Sequence, residues 1–574
     1  MTTHVADGIN EAYFERTDFL IVALTGRTGS GCTTTANNLC KNLAEIPFSE
    51  DDSTEPEKRK LGIARLLLQR QWIPFKKITV STVILSFLLD NDKKPIEDFI
   101  LTCVGDPTLS KAVSDTLIDL KKVESYKHFK KCIVDGDRKS ESSAWSFFFT
   151  HLEPCAGEVR KLLDTKYAPA FQLMGDNIRL SGSAISSEIN PTKVFSLMRR
   201  VKRLAKAAFT HDRANGKKST RVVIDAVRNP LELVYLRDQF ATFFSIAIST
   251  NDLHRRSRLE RLGLSKEAIA ALDSKEYAGG KSLKSYASYV SQNIQECIQK
   301  SDIFFANPGE PRQRSKCIRE LNAQIVRYVA LMLRPGLITP TRDERCMQLA
   351  FTAKLNSGCI SRQVGAAIAD ENYSIKAVGW NDVPAGQVPC LLRDANELIK
   401  GGDSLAFSDF EQTDEDFRAK VESNYARRNM ALSPLGLPCP ICFKDTYNSL
   451  KNENNQVHTR SLHAEENAFL QLAKHGNSGI SGGYLYTTAS PCELCSKKAF
   501  QLGVKKVVYV DPYPGISQVH VLRSGNKENQ PELALFRGAI GHAYHRLYDP
   551  LMPVKDEYNA RLTDIPVSPQ PPLV

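Results

Sequence analysis

The chain has 574 residues, 42% hydrophobic and 25% charged, with a formal net charge of +11. That length allows about two to four domains, each with its own core. No apolar run reaches membrane-spanning length, and Asp7, Glu11, Glu15 and Asp18 near the start are unlike a secretory or transit peptide, so a cytoplasmic protein with no membrane partner is expected. The 14 cysteines of a chain in that setting argue against a disulfide framework, and their clustering toward the C-terminus argues for metal. The positive balance suggests anionic partners, nucleotides or RNA. The basic stretches RRVKRLAKAAF (199–209) and HRRSRLERLG (254–263) read first as solvated helix faces and only second as a polynucleotide groove.

In chain order, FLIVALTG (19–26) reads as a buried strand bounded by Gly26. The run Gly26-Arg27-Thr28-Gly29-Ser30-Gly31-Cys32-Thr33 fits the phosphate-loop pattern G-x-x-x-x-G-K-[ST], except that Cys32 stands where the lysine belongs. Backbone amides from Gly29 to Thr33, at the start of a helix, can still hold a phosphate. The Thr33 hydroxyl can reach a Mg2+ ion. STRVVIDAVRNP (219–230) is a strand ending in Asp225, where a Mg2+-orienting carboxylate is expected, and Arg228 follows three residues later. FFSIAIST (243–250) and SDIFFANPG (301–309) are further strands. Strands separated by helical stretches predict an α/β domain with a parallel sheet.

A helix over 312–333 places Ile318, Leu321, Ile325, Val329 and Met332 at helical spacing and ends at Pro335-Gly336. This predicts a first domain over 1–335 and a second over 336–552, opening with a helix near 341–355. The tail 553–574, with DIPVSPQPPLV, is expected to be disordered.

The strongest chemical pattern lies in LHAEENAFLQLAKHG (462–476) and TTASPCELCSKKAFQLGVKKVVYV (487–510). His463 and Glu465 fall in the first turn of one helix, whose end Gly476 caps. Ser490 as N-cap and Pro491 as first helical residue would place Cys492 and Cys495 in the first turn of another, with both sulfurs facing one point. A helix N-terminus favours thiolate, the form that binds zinc. The H-A-E and P-C-x-x-C pair is associated with zinc-dependent nucleobase deamination. One histidine and two thiolates leave a fourth tetrahedral position for water, whose pKa zinc lowers toward about 7. Glu465 is then no ligand but the proton carrier between water, ring N3 and the leaving ammonia.

The stretch LNSGCISRQVGAAIADENYSIKAVGWNDVPAGQVPC (355–390) resembles the opening segment of deoxycytidylate deaminases, through Ser357/Cys359, Arg362 with Val364-Gly365-Ala366, and Gly379-Trp380-Asn381-Asp382. Trp380 and Asp382 depart from that family's pattern. The resemblance covers about 340–515. It implies an α/β/α deaminase fold with both zinc-bearing helices on one face of a mixed sheet, and a pocket completed by oligomer neighbours. It also implies that Asn381 contacts the nucleotide's sugar or phosphate, with Arg362 beside it; a turn role for Asn381 is the alternative. LPCPIC (437–442) adds Cys439 and Cys442, which with Cys359, Cys390 or His458 could form a second, structural zinc site of the kind such deaminases carry; the ligand set stays open. Between Cys390 and Cys439 lies an acidic insertion with Asp409, Glu411, Asp414, Glu415 and Asp416, read as a solvated helix and loop rather than a lid or subunit contact.

The first half resembles P-loop nucleotide kinases, HRRSRLERLG being similar to their arginine-bearing lid. Cys32 removes the charge that steadies outer phosphates, so a nucleotide-binding or sensing module with weak or no kinase activity is expected, a vestigial scaffold that binds nothing being the alternative. A degenerate kinase-like domain followed by a deoxycytidylate deaminase domain resembles the bacterial anti-phage dCTP/dCMP deaminases. That resemblance implies depletion of deoxycytidine nucleotides during infection and, in some members, inhibition by a small RNA. The rivals are a housekeeping dCMP deaminase supplying thymidylate synthesis, a polynucleotide cytidine deaminase, and a regulatory protein with an inactive deaminase.

Overall fold

A computed structural model describes residues 3–49, 54–276, 286–307, 313–476, 479–510, 520–562 and 564–565. The chain divides into two compact units, one of Met1–Thr339 with His542–Val574 and one of Pro340–Gly541. The division falls a few residues beyond Pro335-Gly336, and the chain leaves the second unit at Gly541 rather than at 552. The tail expected to be disordered contributes the helix Val554–Arg561 to the first unit. Its Glu557 is buried, receives the guanidinium groups of Arg334 and Arg561, and accepts from the Tyr13 hydroxyl at 3.3 Å. Those charged contacts hold a segment whose apolar content alone would not. The proline-rich end, 566–574, lies outside the described residues.

In the first unit, β1 (Phe19–Thr25) leads through a glycine loop into α1 (Cys32–Leu39), followed by β2 (Lys76–Thr79), β3 (Thr220–Asp225), β4 (Phe243–Ser249) and β5 (Ile303–Ala306). These strands run parallel in the order β2-β3-β1-β4-β5. Leu20 to Leu24 are fully buried, as expected of a parallel strand covered on both faces. The chain leaves β1 toward β2 on one side and later adds β4 on the other. The carboxyl end of β1 therefore lies where connections diverge, and a crevice opens there.

Sequence patterning misses β2 and the helical block that follows it. The segment VSTVILSFL is rich in β-branched residues yet forms the helix Val80–Leu88, nearly all of it buried. It packs with Phe147, Phe148, Leu204 and Ala208 in one apolar core, and this tertiary packing overrides local strand preference.

The two basic stretches are not simply wet faces. Arg200 is buried, 2.7 Å from Asp90 and stacked over Phe87. In α2 (Asp252–Arg261), Arg255 is fully buried and bonds Asp252 at 3.0 Å and, on α3 (Lys266–Glu276), Asp273 at 2.7 Å. The periodic helix expected over 312–333 is α4 (Arg314–Leu333).

The second unit opens with α5 (Arg342–Ala353), started by a capping box between Thr341 and Glu344. It contains β6 (Gly365–Ala369), β7 (Ile375–Trp380), α6 (Ala464–Lys474), β8 (Tyr484–Thr487), α7 (Glu493–Gln501), β9 (Lys506–Tyr509) and β10 (Glu532–Leu535). The sheet is mixed, in the order β10-β9-β8-β6-β7. β8, β9 and β10 run parallel, and β6 is antiparallel to both its neighbours. Ala366, Ile368, Leu485 and Val507 share a core with Ala464 and Ala468 of α6 and Ala499 of α7, so both helices cover one face. On the opposite face Tyr486 donates to Asp343 of α5 at 2.7 Å. The result is the α/β/α arrangement that the resemblance implies.

The acidic insertion is more than a solvated loop. Its helices enclose a separate small core around Leu398, Phe407, Phe417, Val421 and Cys439. Arg393 and Glu411 form a fully buried ion pair beside it.

Candidate active site

Glycine sets how closely α6 approaches the sheet. A Cβ on Gly379 of β7 would lie 2.4 Å from the Ala464 carbonyl oxygen and 2.5 Å from the Ala468 nitrogen, so only glycine admits this backbone contact. Asn467 of α6 donates to the Trp380 carbonyl at 2.9 Å, and Leu462 pairs antiparallel with Asp382. These contacts fix the start of α6 against the Trp380-Asn381-Asp382 run.

His463 is the N-cap of α6, in extended conformation, and Cys492 is the N-cap of α7. The second helix thus starts at Glu493, later than Ser490-Pro491 suggested, because the extended Cys492 supplies the first carbonyl, accepting the Ser496 N–H at 2.8 Å. Gly476, as expected, and Gly503 follow the two helix ends with positive φ. The Nδ1 atom of His463 lies 3.2 Å from Cys492 Sγ and 3.5 Å from Cys495 Sγ. Zinc bonds of about 2.0–2.1 Å to nitrogen and 2.3 Å to sulfur, at tetrahedral angles, put such atoms roughly 3.5 Å apart. Among the described residues this trio is the one group of three or more His, Cys, Asp or Glu side chains whose ligand atoms lie within 4.8 Å of one another.

The electrostatics of the trio are those of a cation site. A hydrogen bond from Cys495, reinforced by His463, brings the Cys492 thiol down to about 4. The same hydrogen bond to Cys492, with burial, drives Cys495 far up. Two adjacent sulfurs cannot both ionise unless a positive charge joins them. The hydrogen bond to Cys492 raises the His463 imidazole. The donor set therefore fits zinc, through His463 Nδ1 and the two sulfurs.

Glu465 is buried beside this trio, and burial raises its carboxyl above the usual range. Thr487, at the carboxyl end of β8, is fully buried and donates its hydroxyl to Glu465 Oε1 at 3.0 Å. Sequence reading missed Thr487; its place at the end of a strand preceding the P-C-x-x-C turn is the signal that could have found it.

Asn381 uses its side chain on backbone, accepting from the Val364 N–H at 2.6 Å and donating to the Arg362 carbonyl at 2.7 Å. Of its two sequence readings, these bonds describe a local brace. The candidates for a second zinc, Cys359, Cys390, Cys439, Cys442 and His458, supply no group of three within the same 4.8 Å limit. Cys439 lies instead in the insertion's core, and the His458 ring packs on Tyr447.

In the first unit the glycine loop borders a cavity of about 530 Å³, lined among others by Lys77, Arg160, Arg228, Arg258 and Asp225. Gly31 is the N-cap of α1 with φ +117°, and a Cβ there would lie 2.6 Å from Asn307 Nδ2. Asn307 donates to the Ser30 carbonyl at 2.7 Å. Arg258 donates to the Gly29 carbonyl at 2.6 Å. Thr33 and Asp225, the two residues expected around Mg2+, both line this cavity, and burial raises the Asp225 carboxyl above its usual range. Gly26 follows β1, and Arg27, which also lines the cavity, pairs with Asp252 at 2.6 Å and Asp273 at 2.7 Å. Burial, with Asp225 nearby, pushes the Cys32 thiol up to about 12, which favours the neutral thiol.

Among the described residues no helix is long and apolar enough to cross a membrane. Residues 340–511 match the sequence profile of the cytidine and deoxycytidylate deaminase zinc-binding region. Deoxycytidylate deaminase of enterobacteria phage T4 is 33% identical over 29% of this chain and 76% of its own length. That of Schizosaccharomyces pombe is 28% identical over 40% of this chain and 59% of its own length. A dCMP deaminase of cyanophage S-TIM5, solved in complex with dCMP and dUMP, is 26% identical, with 34% of this chain and 95% of that one covered at a TM-score of 0.20. A buried glutamate beside a histidine and two cysteines, set on two helices over a mixed sheet and matched by these sequences, places the chain in the deoxycytidylate deaminase family, hydrolases that remove the amino group of cytidine nucleotides.

Proposed function

We propose that the second unit hydrolyses the C4–N4 bond of deoxycytidine nucleotides, dCMP and dCTP, yielding dUMP or dUTP and ammonia. The observation that carries this reading is Glu465, buried beside His463, Cys492 and Cys495. When bound, zinc supplies Lewis-acid activation of the attacking water. His463 Nδ1 and the two sulfurs hold it with three protein ligands, the number a catalytic site uses. Glu465 accepts a proton from the water, then delivers protons to ring N3 and to the departing amino group. Thr487 holds one carboxylate oxygen of Glu465 in place throughout. Asn381 and Arg362 shape the sugar–phosphate end of the site, Asn381 through the backbone that it braces.

In the first unit, the loop from Gly26 to Thr33 binds the phosphates of a nucleotide, with Thr33 and Asp225 around Mg2+, and does not transfer a phosphoryl group. What supports this is a glycine loop at a helix start beside a cavity that both Thr33 and Asp225 line. The order of the two units resembles the bacterial anti-phage dCTP/dCMP deaminases. On that resemblance we assign the chain to depletion of deoxycytidine nucleotides during phage infection, as a cytoplasmic homo-oligomer whose first unit senses a nucleotide and whose regulator is a small RNA.

The test is incubation of the full chain with dCMP, dCTP, CMP and CTP, with Glu465→Ala as control. Uracil products from both deoxynucleotides support depletion of the pool. Turnover of dCMP alone supports thymidylate supply instead, and activity confined to polynucleotides overturns the free-nucleotide reading.

A further inference from the structure

At the outer edge of the glycine loop an anion is already bound, and it belongs to the chain. The Thr28 N–H lies 3.1 Å from both carboxylate oxygens of Glu276, and the Thr28 hydroxyl donates to Oε1 as well. Arg228, which follows β3, donates to the same Oε1 at 2.7 Å and to the Thr28 hydroxyl oxygen at 3.2 Å. Glu276 is 0% exposed, so these donors replace its water entirely. A backbone amide, a hydroxyl and a guanidinium converging on one point make a receptor for a single oxyanion group.

Glu276 reaches this point from α3, and so does Asp273, three residues earlier on the same helix face. Asp273 takes Arg27 of the loop and Arg255 of α2, each at 2.7 Å. Two acids of one helix are thus clamped on the cations around the loop. The cavity beside them contains a further acceptor, the Gln292 carboxamide oxygen, which has no hydrogen-bond partner although the residue is only 6% exposed.

We propose that this receptor takes a phosphate group of the loop's ligand, with Arg228 as its cation in place of the missing loop lysine, and that Glu276 is a resident carboxylate which the phosphate must displace. The inference rests on the reading of the glycine loop as a phosphate site and adds its occupant. Binding through such an exchange is weakened by the fraction of time for which the internal acid is in place. A bound phosphate would carry more charge than Glu276 to the same three donors, and Glu276 would leave with the end of α3. The exchange answers why the loop can dispense with a lysine: its cation comes from outside the loop and is held in reserve by an acid.

Calorimetric titration of the full chain with inorganic pyrophosphate tests the proposal. Glu276→Gln keeps the shape and removes the charge, so it should bind pyrophosphate at least about tenfold more tightly than the parent. Adding Arg228→Met should abolish that gain. Hydrogen exchange on the parent needs no variant: saturating pyrophosphate should speed exchange over Lys266–Glu276. Equal affinity in parent and Glu276→Gln, a gain that survives Arg228→Met, or unchanged exchange in α3 overturns the exchange while leaving the loop a phosphate site. Absence of pyrophosphate binding in every chain overturns both.

Discussion

The glycine loop and the His463 trio solve opposite charge problems. At the loop, the cation Arg228 and the acid Glu276 neutralise each other at 2.7 Å, and Thr28 completes the shell. The chain supplies both signs, so the region is stable as it stands and a ligand has to compete. At the trio, the chain supplies donors of one kind only. One sulfur is drawn down to about 4 at the expense of the other, a conflict that a divalent cation relieves. A site balanced from within suits exchange and sensing, whereas a site completed only by a metal suits chemistry.

The largest effect expected from breaking the second arrangement is catalytic. Glu465→Gln should lower dCMP turnover by about 10²–10⁴-fold, measured as kcat, with zinc content unchanged. Cys495→Ser should lose the metal itself, read as zinc per chain by elemental analysis, with activity falling in proportion. On stability, Glu411→Ala leaves Arg393 buried without its acid and should cost about 3–5 kcal/mol in denaturant unfolding of the insertion. Gly379→Ala forces α6 off β7 and should cost about 1–3 kcal/mol, with weaker zinc retention because His463 sits on the displaced end. Smallest is Thr487→Val, which should lower kcat by about tenfold through loss of one hydrogen bond, leave KM and zinc unchanged, and be restored by Thr487→Ser. Equal loss in the serine variant would assign Thr487 to packing alone.

The chemistry of the second unit was legible because it is local. H-A-E and P-C-x-x-C each lie at one helix start, where spacing alone brings the groups together. Four of the five parallel strands of the first unit, all but β2, were legible for the same reason, being apolar runs such as FLIVALTG. What stayed hidden depends on distant partners. The Val80–Leu88 segment forms a helix only because a core built from residues up to Ala208 surrounds it. The helix Val554–Arg561 is held by Arg334, far away in the chain, and nothing in its composition announces that. Likewise Thr28, Arg228 and Glu276 meet through the fold of the sheet, so no spacing rule could join them. Basic stretches misled because charge predicts exposure only when no acid is folded against it, as Asp90 and Asp273 are.

The measurement closest to the central claim is conversion of dCMP to dUMP by the parent chain and by Glu465→Gln at matched zinc content. The account predicts turnover by the parent and its near-complete loss in the variant. Undiminished turnover in the variant, or turnover by the parent after its zinc has been removed, would contradict it.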